Sequence, residues 1–164
     1  MNKTEEIINK TVDKIKEISK SISKEFDLYL YWLNDPLMFG SNHIPYDGTQ
    51  YKNWGVEGHI DSITFKHKTD TICCYCYVYN GSHFIEVEHK EIGVIILSHH
   101  DEDTSWINDV LYCLDAKTSA YICGNLCNLL RVMESYKDKF ESKREDVIKE
   151  KEHPTVNWYN RLQM

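Results

Sequence analysis

Cues that would assign a chemistry are scarce in this chain. Proline occurs three times and glycine seven times in 164 residues, too seldom for a collagen-like repeat or a low-complexity linker. The longest aliphatic run, Val94-Ile95-Ile96-Leu97, falls far short of the roughly 20 residues that a membrane-spanning helix needs. No apolar stretch of signal-peptide type follows the charged N-terminus. Only three basic residues are arginine (Arg131, Arg144, Arg161), and the net charge is −7. Arginine grips phosphates and bases with paired hydrogen bonds, and an acidic surface repels them, so no nucleic-acid partner is expected. The preference for Lys, with just two alanines (Ala116, Ala120), is the mark of an AT-rich coding sequence and fits a virus or a mobile element.

Two further absences narrow the chemistry. The six cysteines (73, 74, 76, 113, 123 and 127) include no C-x-x-C pair, so the common zinc-ribbon and thioredoxin signatures are missing. The phosphate-loop and Gly-x-Ser-x-Gly patterns are missing as well. Small buried thiols in a reducing cytoplasm are therefore the expectation, with no cofactor and no membrane partner.

What is present reads as one α+β domain over residues 1–164, with 41% apolar and 27% charged residues. Ile8, Val12, Ile15, Ile18 and Ile22 recur at three- and four-residue spacing and predict a helix over 3–24, its first turn made acidic by Glu5 and Glu6. Residues 26–33 suit a helix or a strand, and their aromatic content favours the strand. Residues 36–56 read as a loop holding Phe39, Tyr46, Tyr51 and Trp54.

Between residues 58 and 98 the side chains alternate, predicting an antiparallel sheet of four to five strands. Asn80-Gly81 marks a two-residue hairpin, because both central positions of its turn require positive φ. That turn places Tyr79 opposite Ser82, Tyr77 opposite Phe84 and Cys76 opposite Ile85. A tight turn at Lys68-Thr69 would set Phe65 opposite Ile72 and Asp61 opposite Cys76. Residues 92–97, apolar on both faces, predict a central or covered strand. A short helix over 106–114 and a long helix over 117–151 complete the chain. The long helix carries a heptad-like seam: Ile122, Leu126, Leu129, Met133, Tyr136 and Phe140. Its Lys- and Glu-rich second half, and the tail to residue 164, are expected to protrude.

Three functional classes follow. The favoured one is a non-enzymatic protein-binding accessory protein (an inhibitor, immunity protein or chaperone-like adaptor) that occupies a partner's surface. Its contact residues would be Tyr75, Tyr77, Tyr79, Phe84 and Glu86 on one sheet face, with Tyr51 and Trp54 from the loop. The second is a metal-dependent or Cys-His enzyme. The register above gathers His59, Asp61, Cys76 and His83, residue types that zinc accepts. The run His99-His100-Asp101-Glu102-Asp103 and the Cys123/Cys127 pair are weaker ligand candidates. The third class is an oligomeric structural component, a homodimer in its simplest form, paired through the 122–140 seam.

Overall fold

The structure is a computed structural model that describes residues 3–34, 54–58, 61–99 and 113–152. Its elements run α1 (Lys3–Lys24), α2 (Phe26–Leu33), β1 (Trp54–Gly58), β2 (Ser62–Lys68), β3 (Ile72–Tyr79), β4 (Ser82–His89), β5 (Gly93–His99) and α3 (Ala116–Glu152). The strands form one antiparallel sheet in the order β1-β2-β3-β4-β5. Consecutive strands are neighbours throughout, as short hairpin connections require. The N-terminal helix and the long C-terminal helix pack on one face of this sheet, the two-layer α+β arrangement that the sequence predicts.

Period-two alternation decides which side chains meet the helices. Ile63, Phe65, Cys74, Cys76, Val78, Ile85, Val87 and Leu97 are fully buried on the inner face. From α1 the same core receives Ile8, Val12, Ile15 and Ile22, and from α3 the whole predicted seam from Ile122 to Phe140. Hydroxyls tie the layers together. Ser23 of α1 donates to the Tyr79 carbonyl (2.7 Å) and accepts from the Gly81 amide (2.6 Å), which pins the β3–β4 turn to the helix. At that turn Gly81 has φ +91°, the conformation that the Asn-Gly pair predicts.

Four expectations need correction. Residues 26–33 form helix α2, because Phe26, Tyr29 and Trp32 bury one side at three-residue spacing against α3. Packing overrides the strand preference of aromatic residues there. Residues 54–58 are strand β1 rather than the end of a loop. Its closing residue is glycine for lack of space, since a Cβ on Gly58 would lie 2.9 Å from methyl carbons of both Leu30 and Leu33. Among the described residues β5 is the last strand of the sheet rather than a central one, and Val94 is 57% exposed. The second half of α3 is not a free spur. Phe140 and Val147 are fully buried, Arg144 pairs with Glu25, and the Tyr31 hydroxyl reaches the Glu150 carbonyl at 3.5 Å.

The β2–β3 register also differs from expectation. Phe65 pairs with Cys76 and Lys68 with Cys73, so the partner of Phe65 lies four residues beyond Ile72. The turn is longer because Thr69 organises it. Its Oγ1 accepts the amides of Thr71 (3.3 Å) and Ile72 (3.2 Å), while its own amide donates to the Ile72 carbonyl (2.7 Å). An even shift keeps every side chain on its predicted face, and so hydrophobic alternation does not detect it.

Candidate protein-binding face

Among the described residues no helix lies on the outer face of the sheet, which is built in rows that the strand registers define. One row runs Thr64, Tyr77, Phe84, His99. The next runs Lys66, Tyr75, Glu86, Ile96, and the third Lys68, Cys73, Glu88, Val94. A bulge shapes its β5 end. Ile85 pairs with Ser98 but Glu86 pairs with Ile96, which leaves Leu97 as the extra residue. Leu97 and Ser98 both turn inward and are fully buried, and His99 is thereby delivered to the outer face beside Phe84.

The rings form a continuous array. Tyr75 and Tyr77 stack with centroids 5.6 Å apart, Tyr77 meets Phe84 edge-on at 5.9 Å, and Phe84 meets His99 edge-on at 5.1 Å. Such offset and edge-to-face contacts suit the ring quadrupoles. Tyr77 donates a hydrogen bond to Glu86 Oε1 at 3.3 Å. Partial burial pushes the Tyr77 phenol up to about 12, with the neighbouring Glu86 charge adding to it. Tyr75 rises too, first because it donates to the Cys73 thiol and then through burial. Burial also raises the Glu86 carboxyl above its usual range, against the opposing pull of the Tyr77 hydroxyl. Tyr79 is half-buried between Ser62 and Ser82 on the same face.

The raised carboxyl has a sign that can be checked. A proton binds Glu86 more tightly in the folded chain than in the unfolded one. Its contribution to stability is therefore complete below the ordinary carboxyl range and is lost as pH rises through the raised value. Glu86→Gln keeps an acceptor for Tyr77 and carries no charge. It is expected to melt at a higher temperature than the parent at neutral pH, with the gap closing as pH falls through the carboxyl range. Paired thermal melts across pH measure this; a gap that does not depend on pH would refute it.

The predicted binding residues are thus only partly described. Tyr75, Tyr77, Tyr79, Phe84 and Glu86 share one face, whereas Tyr51 lies outside the described residues and Trp54 is placed only as the first residue of β1. The predicted metal set is not brought together by the described structure. His59 lies outside it, and Asp61 is exposed at the bend before β2. The corrected register removes Asp61 from its place opposite Cys76. Cys76 is wholly buried, its sulfur 3.1 Å from the Ser19 hydroxyl, and burial pushes its thiol up to about 12. A thiol so raised is a poor nucleophile at neutral pH. His83 is buried as well, with Nε2 3.0 Å from the Ser98 hydroxyl. Among the described residues no group of three or more His, Cys, Asp or Glu side chains could hold a metal ion.

Of the weaker candidates, residues 100–103 lie outside the described residues, as do 106–112 of the helix predicted over 106–114; Cys113 and Leu114 form a turn and a bend before α3. Cys123 and Cys127 share a face of α3 and are half-buried. Burial, and then the neighbouring Cys127, push the Cys123 thiol up to about 11. The seam of α3 is consumed inside the chain, so its side chains are not available to pair two copies. No helix among the described residues is long and apolar enough to cross a membrane.

No family model matches the chain, and no curated protein or solved structure shows significant similarity to it. The site must be read from its own geometry. Sequence reasoning found the tyrosine face through the Asn80-Gly81 turn, which links two alternating segments. It missed His99, which reaches that face only through the bulge. It also missed a cleft at the opposite end of β3 and β4, whose walls come from separate stretches of chain.

Proposed function

We propose that this chain is a non-enzymatic binding protein that acts by occupying the surface of a protein partner with the outer face of its sheet. The observation that carries this reading is the unbroken array Tyr75–Tyr77–Phe84–His99 on the face that no described helix covers. Tyrosine gives a large, stiff contact surface at low entropic cost, and its hydroxyl tolerates water before the partner arrives. Glu86 and Glu88 share this face with Lys66 and Lys68, so charges of both signs border the rings. A partner surface with apolar pockets, rimmed by charges of both signs, would complement it. Inhibitors, immunity proteins and adaptors work in this way, because binding itself is their activity.

The test is affinity capture with two baits, followed by binding measurements on the purified pair. Tyr77 and Phe84 lie near the middle of the array, where truncation of an aromatic anchor costs about 2 kcal/mol or more. The double variant Tyr77→Ser/Phe84→Ser should lose the captured partner, with affinity falling by more than about tenfold. Tyr121→Ala, on α3 and outside this face, should retain it. A parent bait that holds nothing beyond what the folded double variant also holds would defeat the proposal.

A further inference from the structure

At the far end of the inner layer, a cleft of about 550 Å³ opens between the β2–β3 turn, the β4–β5 turn and the start of α3. Each of its three walls is held in place by a local cap. Thr69 Oγ1 organises the first turn, as described above. In the second, His89 Nδ1 accepts the amides of Glu91 (3.1 Å) and Ile92 (3.2 Å). At the start of α3, Asp115 Oδ1 accepts the Thr118 amide at 2.7 Å. The first two walls are joined by a hydrogen bond from the Lys90 amide to the Thr71 carbonyl at 2.9 Å. The cleft is therefore preformed, and its volume falls in the range of about 300–1,000 Å³ usual for small-molecule sites.

His89 is the most informative residue of the lining. It is 6% exposed, and Nδ1 is spent on two backbone amides. An acceptor at Nδ1 means that the ring hydrogen sits on Nε2. That N–H has no partner among the described residues, and the ring lines the cleft. That N–H opens on the cleft and is free to donate to a ligand acceptor. Around it stand the carboxylates of Asp70 and Glu91, the hydroxyls of Thr71 and Thr118, and the Lys117 ammonium. Tyr121 supplies an aromatic ring that is 54% exposed.

We propose that this cleft binds a saccharide. A free anion would face Asp70, Glu91 and Asp115 with only Lys117 to offset them. A simple cation would leave the His89 Nε2–H unmatched and would meet the Lys117 ammonium. A neutral polyol avoids both conflicts, because each hydroxyl can donate to a carboxylate and accept from Nε2–H or Lys117. Tyr121 suits the apolar face of a sugar ring. The Lys117 ammonium lies 5.9 Å from the centre of that ring, so the ring face already attracts positive charge. Sugar C–H groups carry the same partial sign. This site is independent of the proposed protein-binding face.

The experiment is a two-dimensional amide NMR titration of the full chain with glucose, galactose, mannose and N-acetylglucosamine in turn. The expected result is saturable shifts at the amides of Thr71, Glu91 and Thr118 with at least one of the four. Tyr121→Ala should weaken that binding by about tenfold, the scale of one aromatic anchor. His89→Asn retains an acceptor for the turn amides and removes the Nε2–H, and it should weaken binding without changing the thermal melt. No saturable shift with any of the four sugars overturns the proposal. Binding that survives both variants, or saturation of the same amides by arginine or inorganic phosphate alone, also overturns it.

Discussion

Phe140→Ala is expected to lower the unfolding free energy by about 3–5 kcal/mol. The ring is fully buried in the half of α3 that composition alone marks as a solvent-exposed spur. It stacks on Tyr29 with centroids 3.8 Å apart and meets Trp32 edge-on at 5.4 Å. Tyr136, one turn earlier, touches both of those rings, meets Phe65 of β2, and donates its hydroxyl to the Tyr29 carbonyl at 3.2 Å. Removing Phe140 leaves a cavity where α2 is held to α3, and neighbours on two rigid helices cannot collapse to fill it. For a chain of this length the loss corresponds to a fall in melting temperature on the order of 10 °C. Lys143→Ala, on the exposed side of the same helix, should stay within about 0.5 kcal/mol of the parent. Urea unfolding of the two variants decides the matter. Equal and small effects would mean that this half of α3 adds nothing to the core.

The second large effect is expected at Asn125, a buried amide in the middle of an otherwise apolar helix seam. Its Nδ2 donates to the Ile72 carbonyl at 3.0 Å, and its Oδ1 accepts from His67 Nδ1. One side chain thus joins α3 to the end of β2 and the start of β3. Asn125→Leu keeps the volume but removes the acceptor of the buried His67 Nδ1–H, while the Ile72 carbonyl keeps the Thr69 amide. A buried donor left without its acceptor costs about 1–3 kcal/mol, so destabilisation of about that size is expected. Losses at neighbouring groups do not add. A double-mutant cycle with His67→Phe should return a coupling of about 0.5–3 kcal/mol. Additive single effects would show that the His67–Asn125 bond contributes nothing to stability.

Much of the fold is legible in the sequence because local periodicity and turn chemistry agree. The α1 stripe, the α3 seam and all of the β3–β4 register follow from spacing and from Asn80-Gly81. The same turn places Tyr75, Tyr77, Tyr79, Phe84 and Glu86 on one face, since period-two geometry leaves no choice once the register is set. Where a turn lacks so strong a signature, the reading drifts. At Lys68–Ile72 two registers four residues apart bury the same side chains, and the Thr69 hydroxyl selects between them. The predicted metal cluster depended on the wrong one.

Other features were out of reach for a different reason. The strand assignment of Trp54–Gly58 is hidden by glycines whose purpose, at Gly58, is to let Leu30 and Leu33 approach. The aromatic run Phe26–Leu33 becomes helical because α3 offers Tyr136 and Phe140 as packing partners. The cleft beside His89 draws its walls from residues 69–71, 89–91 and 115–121, and no linear pattern joins them.

The sequence by itself determined the α+β class, the amphipathic helices, the hairpin and the side of the sheet to which each side chain belongs. These depend on contacts a few residues apart, and short-range periodicity encodes them. Only the tertiary structure decided that the helices cover the Cys74–Cys76–Val78 face and leave the tyrosines outside. It alone also decided that β5 comes last in the described sheet, that the α3 seam is satisfied within the chain, and which polar groups meet at the ends of the strands. Those outcomes depend on how separate amphipathic surfaces share one core, a choice made by total burial rather than by any segment's own pattern.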